Sequence, residues 1–202
     1  MRRESLLLGF AVAVPVLYFG VMLVAASTWP GYSHVTQYVS ELGGPDAKHP
    51  AIFNVGIVVM GAVCTLSAWG IFAAARGVGG RRVMSALAAT CIALFGVAMM
   101  MGGFFPMPNP LHGGFGLGFA MVLAPLFLAL ALGGRGNLGA LTVLLLGSFA
   151  FMIVTMAVMM GVGHLVTRAN VGLWQRLNAL AMFPWLGVTG LFLARRIGGP
   201  AA

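Results

Sequence analysis

The amino-acid sequence predicts an all-α fold, a polytopic membrane protein with six transmembrane helices in a compact bundle. Of its 202 residues, 60% are hydrophobic and 7% are charged, whereas soluble domains carry about 25% charged residues. The mean hydropathy is +1.02. Six apolar runs reach the length of about 20 residues that a helix needs to cross the hydrocarbon core.

Short breaks rich in Gly, Pro, Arg and Asn separate the apolar runs. The six runs cover residues 6–29, 51–75, 83–105, 113–132, 141–163 and 177–197. No polar stretch is long enough for a soluble domain, so we expect residues 1–202 to form one transmembrane domain. The first run exceeds the about 7–15 apolar residues of a cleaved signal peptide. We therefore expect it to be retained as the first helix.

Arginine and lysine are distributed unequally between the two sets of helix ends. One set carries eight basic residues: Arg2, Arg3, Arg76, Arg81, Arg82, Arg135, Arg195 and Arg196. The other carries three: Lys48, Arg168 and Arg176. The positive-inside rule places both termini in the cytoplasm, and we expect the membrane to be a prokaryotic plasma (inner) membrane. Since these ends account for the net charge of +8, the charge does not indicate nucleic-acid binding.

Several residues inside the apolar runs predict details of the helices. Pro15, Pro125 and Pro184 should kink their helices. Gly114 to Gly118 should open the fourth helix with a small-residue pattern that permits close helix packing. Two cysteines, Cys64 and Cys91, are interpreted as packing residues.

The first external connection contains polar residues at helical spacing. We expect Ser33–Leu42 to form a short amphipathic helix that places His34 and Glu41 on one side. This helix either covers the end of the bundle with its polar groups in water, or acts as a lid. As a lid it would turn His34, Ser40 and Glu41 towards a pocket between the helices, since ionisable residues near a membrane core often mark function.

The remaining external residues add further candidates. Asn54 lies one turn inside the second helix, where it should hydrogen-bond a neighbour or orient a substrate. His112 follows a proline-rich turn and begins the fourth helix. If the fifth helix continues by one turn, His164 and Arg168 share one face.

These external residues suggest two possible cofactors. His112, His164 and Glu41 are candidate ligands for zinc, which catalytic sites bind through three protein ligands. The sequence contains no HExxH motif or other tight metal-binding spacing, so the pattern is unspecific. Alternatively, His112 and His164 could be axial ligands of a haem, although no CxxCH motif is present.

Several short motifs resemble a known family. They are Tyr38-Val-Ser40-Glu41-Leu-Gly43 followed by Asn54, Phe105-Pro106 with Leu111-His112, and Gly172-Leu-Trp-Gln175-Arg176. Together they resemble the bacterial and archaeal membrane family called domain of unknown function 998, over nearly the whole chain. The resemblance implies a compact six-helix membrane protein and no established activity. It emphasises Ser40, Glu41, Gly43, Asn54, His112, Gln175 and Arg176, and weakens a metal site built from all four histidines.

We weigh three functions. The first is an enzyme or binding protein for a lipid or lipid-linked anionic ligand, with Glu41 and His112 as acid and base and Arg176 holding a phosphate or carboxylate. Its further ligand-binding candidates are Ser40, Asn54, Gln175, Arg168 and His34. The second is a small transporter or channel. The lack of acidic and basic residues at helix centres disfavours proton-coupled transport, but the helices could still form a pore as an oligomer. The third is an accessory subunit that docks a partner protein. The expected partners are membrane lipids, and either another membrane protein or further copies of this chain.

Overall fold

The computed structural model describes residues 3–135 and 138–197, with side chains from residue 6 onward. Within these residues the structure is entirely helical and contains no strand. Six segments are long and apolar enough to cross a membrane, as predicted. The domain and orientation predictions also include residues that lie outside the described ones, among them Arg2, Asn137 and residues 198–202. The helices are α1 (Arg3–Ser27), α2 (Pro50–Gly77), α3 (Arg82–Phe104), α4 (Ala120–Leu132), α5 (Gly139–Met159), α6 (Val171–Met182) and α7 (Pro184–Ile197).

Helices that follow one another in the chain pack side by side, and α7 returns to pack against α1. The spans therefore form a closed ring around a shared apolar core. Glycines allow close approach where two helices cross: a Cβ on Gly96 of α3 would lie 2.6 Å from the Gly61 carbonyl oxygen of α2. Such small-residue contacts are how membrane helices gain packing energy, because lipid is as apolar as the side chains.

The three prolines inside the apolar runs affect their helices differently. Helices α1 and α4 continue through Pro15 and Pro125. The sixth span breaks at Pro184. Helix α6 ends at Met182, Phe183 links the two helices, and α7 begins at the proline. Proline lacks an N–H and its ring collides with the preceding helical turn. The helix is thus interrupted at the position where a kink was predicted, and the Phe183 ring stacks on Tyr18 with centroids 3.9 Å apart.

The fourth span begins differently from the prediction. An α-helix was expected from Gly113, but Pro110–Phe119 forms 3₁₀ turns and α4 begins only after them. Residues 114–116 all have positive φ, which an α-helix excludes. Gly114 and Gly116 tolerate this conformation, whereas Phe115, with a φ of 53°, is a non-glycine exception. The expected close packing does occur, since a Cβ on Gly114 would lie 3.0 Å from the Cα of Ala98 on α3.

The predicted amphipathic helix over Ser33–Leu42 is wrong, because only Val39–Gly43 forms a single 3₁₀ turn. A side chain takes one backbone N–H that this helix would use, because Glu41 Oε1 accepts from the N–H of Tyr38 at 2.8 Å. Polar side chains that bind the local backbone in this way compete with helix formation.

The fifth span ends before the predicted extension. Helix α5 stops at Met159, and Gly161, with a φ of 100°, redirects the chain. His164 follows in a short 3₁₀ turn with a φ of 53°. His164 and Arg168 therefore do not share a helix face, and that prediction is wrong.

Helix α6 begins at Val171, six residues before the predicted start at Leu177. The N–H groups of a first helical turn need acceptors from outside the helix. Here the N–H of Leu173 donates to the carbonyl of Val35, 3.0 Å away in the connection between α1 and α2. A distant segment thus extends the helix and places residues 172–176 inside it.

The connections lie at two opposite ends of the bundle. Residues 28–49, 105–119 and 160–170 lie at one end with all four histidines, and we call it the histidine end. We call residues 28–49 the covering loop. Residues 78–81, 133–135 and 138 lie at the opposite end, the arginine end.

Arginines at the arginine end bind backbone carbonyls of the turns. Arg76 donates to Gly80, and Arg135 donates to Ala131 at 3.0 Å and to Gly79 in the neighbouring turn. Cationic groups are favourable beside the unpaired carbonyls at helix C-termini. These side chains therefore stabilise the short turns of this end.

We predict that Gly96→Ala destabilises the bundle. The added Cβ would lie 2.3 Å from the Thr65 hydroxyl and 2.6 Å from the Gly61 carbonyl, and such overpacking costs about 1–3 kcal/mol. Gly147→Ala is the control, since a Cβ there meets nothing within 4 Å. Thermal unfolding in detergent should show a lower midpoint for Gly96→Ala alone. Equal midpoints for the two variants would contradict the packing described for α2 and α3.

Candidate functional site

A cavity of ≈ 240 Å³ lies at the histidine end, where α1, α2, α3 and α6 meet the covering loop. At about 30 Å³ per water molecule, it has room for about eight waters, which suits a head group rather than a whole lipid. One part of its lining is apolar: Phe53, Ile57, Phe95, Met99, Met182 and Phe183. The other part is polar: Tyr18, Ser40, His112, Gln175 and Asn178. This part carries no charge when His112 is neutral.

Two apolar side chains and one amide help to hold the covering loop at the cavity. Val39 and Leu42 are each 2% exposed. Gln175 Oε1 accepts a hydrogen bond of 2.6 Å from the N–H of Val39. This contact sets the adjacent Ser40 in the cavity wall, where its hydroxyl donates to Met107 Sδ at 3.1 Å.

Arg176 joins the covering loop to α6 through its guanidinium group. Nε donates to His34 Nδ1 at 3.1 Å, Nη2 to the Tyr32 hydroxyl at 2.6 Å, and Nη1 to the Gln37 carbonyl at 3.0 Å. Nη1 also donates to the Gly172 carbonyl at 2.8 Å. A guanidinium has five N–H donors, so one is left after these four bonds. Arg176 is absent from the cavity wall, and its expected role as a phosphate or carboxylate ligand has little geometric support.

Gly172 permits this contact between the loop and α6. A Cβ at this position would lie 2.3 Å from the Gln37 carbonyl oxygen and 2.9 Å from that of His34. Real Cβ atoms do not come so close to backbone. On α6, Gly172 lies three and four residues before Gln175 and Arg176, so all three occupy one face. That face is the one on which the covering loop packs.

Asn54 attaches the other end of the covering loop to α2. Its Nδ2 donates to the Gly43 carbonyl at 3.0 Å. A Cβ on Gly43 would lie 2.0 Å from Asn54 Oδ1, so the contact requires glycine. The expected hydrogen bond of Asn54 is thus present, and its partner is the loop backbone.

His112 is positioned in the cavity wall by a backbone carbonyl. Its Nδ1 lies 3.0 Å from the Phe105 carbonyl oxygen. Because a carbonyl only accepts, Nδ1 carries the proton, and Nε2 of the neutral ring is an acceptor. This bond crosses the proline-rich turn and joins its two ends.

Glu41 holds the backbone of the covering loop. Its Oε1 accepts from the Tyr38 N–H at 2.8 Å and its Oε2 from Gln37 Nε2 at 3.1 Å. It lines a separate hollow beside Trp29, away from the cavity that contains His112. The structure therefore places the expected acid–base pair, Glu41 and His112, in different hollows.

The remaining candidates lie on the outer surface of the histidine end. His34 and His164 are both exposed. Arg168 is exposed beside a shallow depression that includes Tyr38 and Thr167. None of the three lines the cavity.

The proposed metal ligands do not converge. Among the described residues no group of three or more His, Cys, Asp or Glu side chains is placed to hold a metal ion. His112, His164 and Glu41 therefore form no such group. For haem, His112 belongs to the cavity wall and His164 to an exposed turn beyond α5. Cys64 and Cys91 are buried and free, as expected of packing residues.

The sequence analysis missed two polar residues of the cavity. Tyr18 and Asn178 are 6% and 7% exposed, on α1 and α6. Asn178 Nδ2 donates to Thr155 Oγ1 at 3.2 Å, whereas the Tyr18 hydroxyl makes no hydrogen bond to the described residues. A signal existed for Asn178, which follows Gln175 by three residues and so extends the same helix face. Tyr18 lies within an apolar run and gave no such signal.

We predict that Arg176→Lys loosens the covering loop. One ammonium group cannot reach the three separate acceptors on Tyr32, His34 and Gln37, and each charged hydrogen bond contributes about 1.5–3 kcal/mol. Hydrogen exchange of the loop amides should accelerate at least tenfold. Arg168→Lys, at an exposed arginine of the same end, is the control. Unchanged exchange in Arg176→Lys would show that these bonds do not hold the loop.

The contact between His34 and Arg176 should depend on pH. His34 is exposed, but partial desolvation of its ring and the neighbouring Arg176 guanidinium hold its pKa below the usual value. The ring needs a neutral Nδ1 to accept from Arg176, and its other described neighbour is the Tyr32 ring, 5.2 Å away. Because the pKa of His34 is lower in the folded state than in the unfolded state, the stabilisation from this contact is fully present above about pH 6.5, the pKa of an unperturbed histidine. It is lost as the pH falls through the folded-state pKa.

We therefore predict that loop-amide exchange in the natural protein accelerates between pH 7.5 and 5, after correction for intrinsic exchange. His34→Gln, whose amide oxygen can accept at any pH, should lose this additional acceleration. His49→Gln should behave like the natural protein, because His49 is exposed. Equal pH responses in all three proteins would exclude titration of His34 as the cause.

Comparison with known proteins gives one match. A family model described as "Protein of unknown function (DUF998)" matches residues 12–191. No curated protein and no solved structure matches the chain. The match includes the covering loop, the cavity wall and the face of α6 on which the loop packs. The chain therefore belongs to the DUF998 family.

Proposed function

We propose that this protein is an integral membrane protein that binds the polar end of a membrane lipid, or of a lipid-linked molecule, in the cavity at the histidine end. The observation that carries the proposal is the two-sided lining of the cavity. Aromatic and aliphatic side chains such as Phe53 and Phe95 face polar groups such as Gln175 and Asn178. Binding sites for small ligands combine a mostly apolar wall with a few placed polar groups in this way.

In this proposal the arginine end faces the cytoplasm of a prokaryotic plasma membrane, and the cavity lies at the level of the outer head groups. The positive-inside rule supports this orientation. The described basic residues of the arginine end are Arg76, Arg81, Arg82, Arg135, Arg195 and Arg196, against Lys48, Arg168 and Arg176 at the histidine end.

Binding is favoured over acid–base catalysis by the positions of the candidate groups. His112 lines the cavity, whereas Glu41 and Arg176 are hydrogen-bonded within the covering loop and between the loop and α6. A general base must lie within hydrogen-bonding reach of the group that it deprotonates. Within the described lining, no carboxylate is available to act with His112.

We predict that Gly102→Leu reduces lipid binding. Gly102 lines the cavity, and a Cβ there makes only ordinary contacts, the nearest 3.7 Å from the His112 carbonyl oxygen. The rest of the leucine side chain then occupies space that the ligand needs. Lipids that remain with the detergent-purified protein are measured by mass spectrometry, and at least a tenfold loss of one species is expected.

Gly147→Leu on α5 is the matched control, since its Cβ position is open and the same side chain is added. It should retain the lipid at the level of the natural protein. Thermal unfolding of both variants separates loss of the ligand from loss of the fold. Retention of the same lipid by a folded Gly102→Leu protein would show that the cavity is not the binding site.

A further inference from the structure

The hydrogen-bonding groups of the cavity can be assigned as donors or acceptors from their protein partners. Gln175 Oε1 accepts from the Val39 N–H, so the donor Nε2 is its remaining group. The Thr155 hydroxyl donates to the Phe151 carbonyl at 2.9 Å. It therefore accepts from Asn178 Nδ2, which leaves the acceptor Oδ1 of Asn178 without a partner among the described residues.

His112, Tyr18 and Ser40 complete the polar lining. His112 Nδ1 carries a proton for the Phe105 carbonyl, so Nε2 of the neutral ring accepts. The Tyr18 hydroxyl, on a side chain 6% exposed, has no partner among the described residues and can donate or accept. The Ser40 hydroxyl donates to Met107 Sδ, so its oxygen can only accept from a ligand. The cavity thus offers three acceptors, one donor group and one hydroxyl that can do either. Buried polar groups are costly when they stay unpaired, so the ligand must supply donors as well as acceptors.

The charge of the cavity restricts the ligand further. Its described lining contains no Lys, Arg, Asp or Glu, and Arg176 is bonded to the covering loop. An ionised group in such surroundings pays a large desolvation cost, and no charged side chain of the described lining contacts it to offset that cost. An ionised phosphate would also place acceptor oxygens beside Asn178 Oδ1. Since Oδ1 is itself an acceptor, no hydrogen bond could form between them.

Building on the proposed function, we propose that the ligand is an uncharged lipid alcohol, a lipid whose polar end is a free hydroxyl group. A hydroxyl both donates and accepts, so it can donate to Asn178 Oδ1 or His112 Nε2 while it accepts from Gln175 Nε2 or Tyr18. The stacked rings of Tyr18 and Phe183 and the nearby Phe95 ring then contact the first apolar part of the lipid. The cavity holds the head, and the chains extend into the bilayer.

Two lipid sources share this chemistry, diacylglycerols and long-chain polyprenols. The purified full-length protein is titrated in phosphatidylcholine nanodiscs with dioleoylglycerol and with a polyprenol, and binding is followed by native mass spectrometry. Each probe has a matched control in which the hydroxyl is acetylated, and dioleoyl phosphatidic acid tests for recognition of phosphate. At least one alcohol should bind at least tenfold more tightly than its acetate and than phosphatidic acid, and the preferred alcohol identifies the source.

Two variants link the selectivity to the cavity. Tyr18→Phe and Asn178→Leu should each weaken binding of the preferred alcohol at least tenfold and leave binding of its acetate unchanged. Tyr38→Phe, which removes a hydroxyl from an exposed tyrosine of the covering loop, should have no effect. A merely structural role of Tyr18 or Asn178 would lower binding of alcohol and acetate alike.

The outcomes distinguish this inference from the proposed function. If an acetate or phosphatidic acid binds as tightly as the alcohols, and Gly102→Leu abolishes that binding, the cavity binds lipid but the assignment to lipid alcohols is wrong. If no probe binds and Gly102→Leu retains the same lipids as the natural protein, both proposals are wrong. Selective binding that is insensitive to Tyr18→Phe and to Asn178→Leu would also overturn the inference.

Discussion

The hydrogen bonds between Arg176 and the covering loop are the interaction on which the cavity depends. The loop contributes few apolar side chains to the core, chiefly Val39 and Leu42, so burial alone gives it little support. The guanidinium group supplies charged donors to the Tyr32 hydroxyl and the Gln37 carbonyl. Charge-assisted bonds of this kind are about twice as strong as neutral ones. They bring the loop onto α6, where Val39 and Ser40 complete the cavity wall.

The motifs that resemble the family are joined to each other in space. Asn54 binds the Gly43 carbonyl, His112 binds the Phe105 carbonyl, and Gln175 binds the loop backbone. These side chains satisfy backbone groups in irregular segments, which a membrane protein must do wherever water is scarce. We interpret the motifs as the framework that fixes the connections around the cavity. Only part of this framework faces the cavity itself.

The candidate site could be predicted by location but only partly by residue. Ser40, His112 and Gln175 line the cavity, whereas Asn54, Glu41 and His34 bind other parts of the protein. Arg168 lies on the surface. The sequence shows which polar residues share an end of the bundle, because topology fixes that. It does not show which donors are used internally, since their partners lie up to 144 positions away, as for the bond from Arg176 to Tyr32.

By itself, the sequence determined the six spans, because the length and apolar character of each run are local properties that the bilayer selects. It did not determine which proline breaks its helix, because Pro15 and Pro125 lack the same N–H and lie inside continuous helices, whereas the sixth span breaks at Pro184. Only the tertiary structure decided that Ser33–Leu42 is not a helix and that α6 begins at Val171. In these regions backbone N–H groups bind acceptors that helical spacing does not indicate, such as the Glu41 carboxylate for Tyr38 and the distant Val35 carbonyl for Leu173. The choice of acceptor depends on contacts that form only when the covering loop packs on α6.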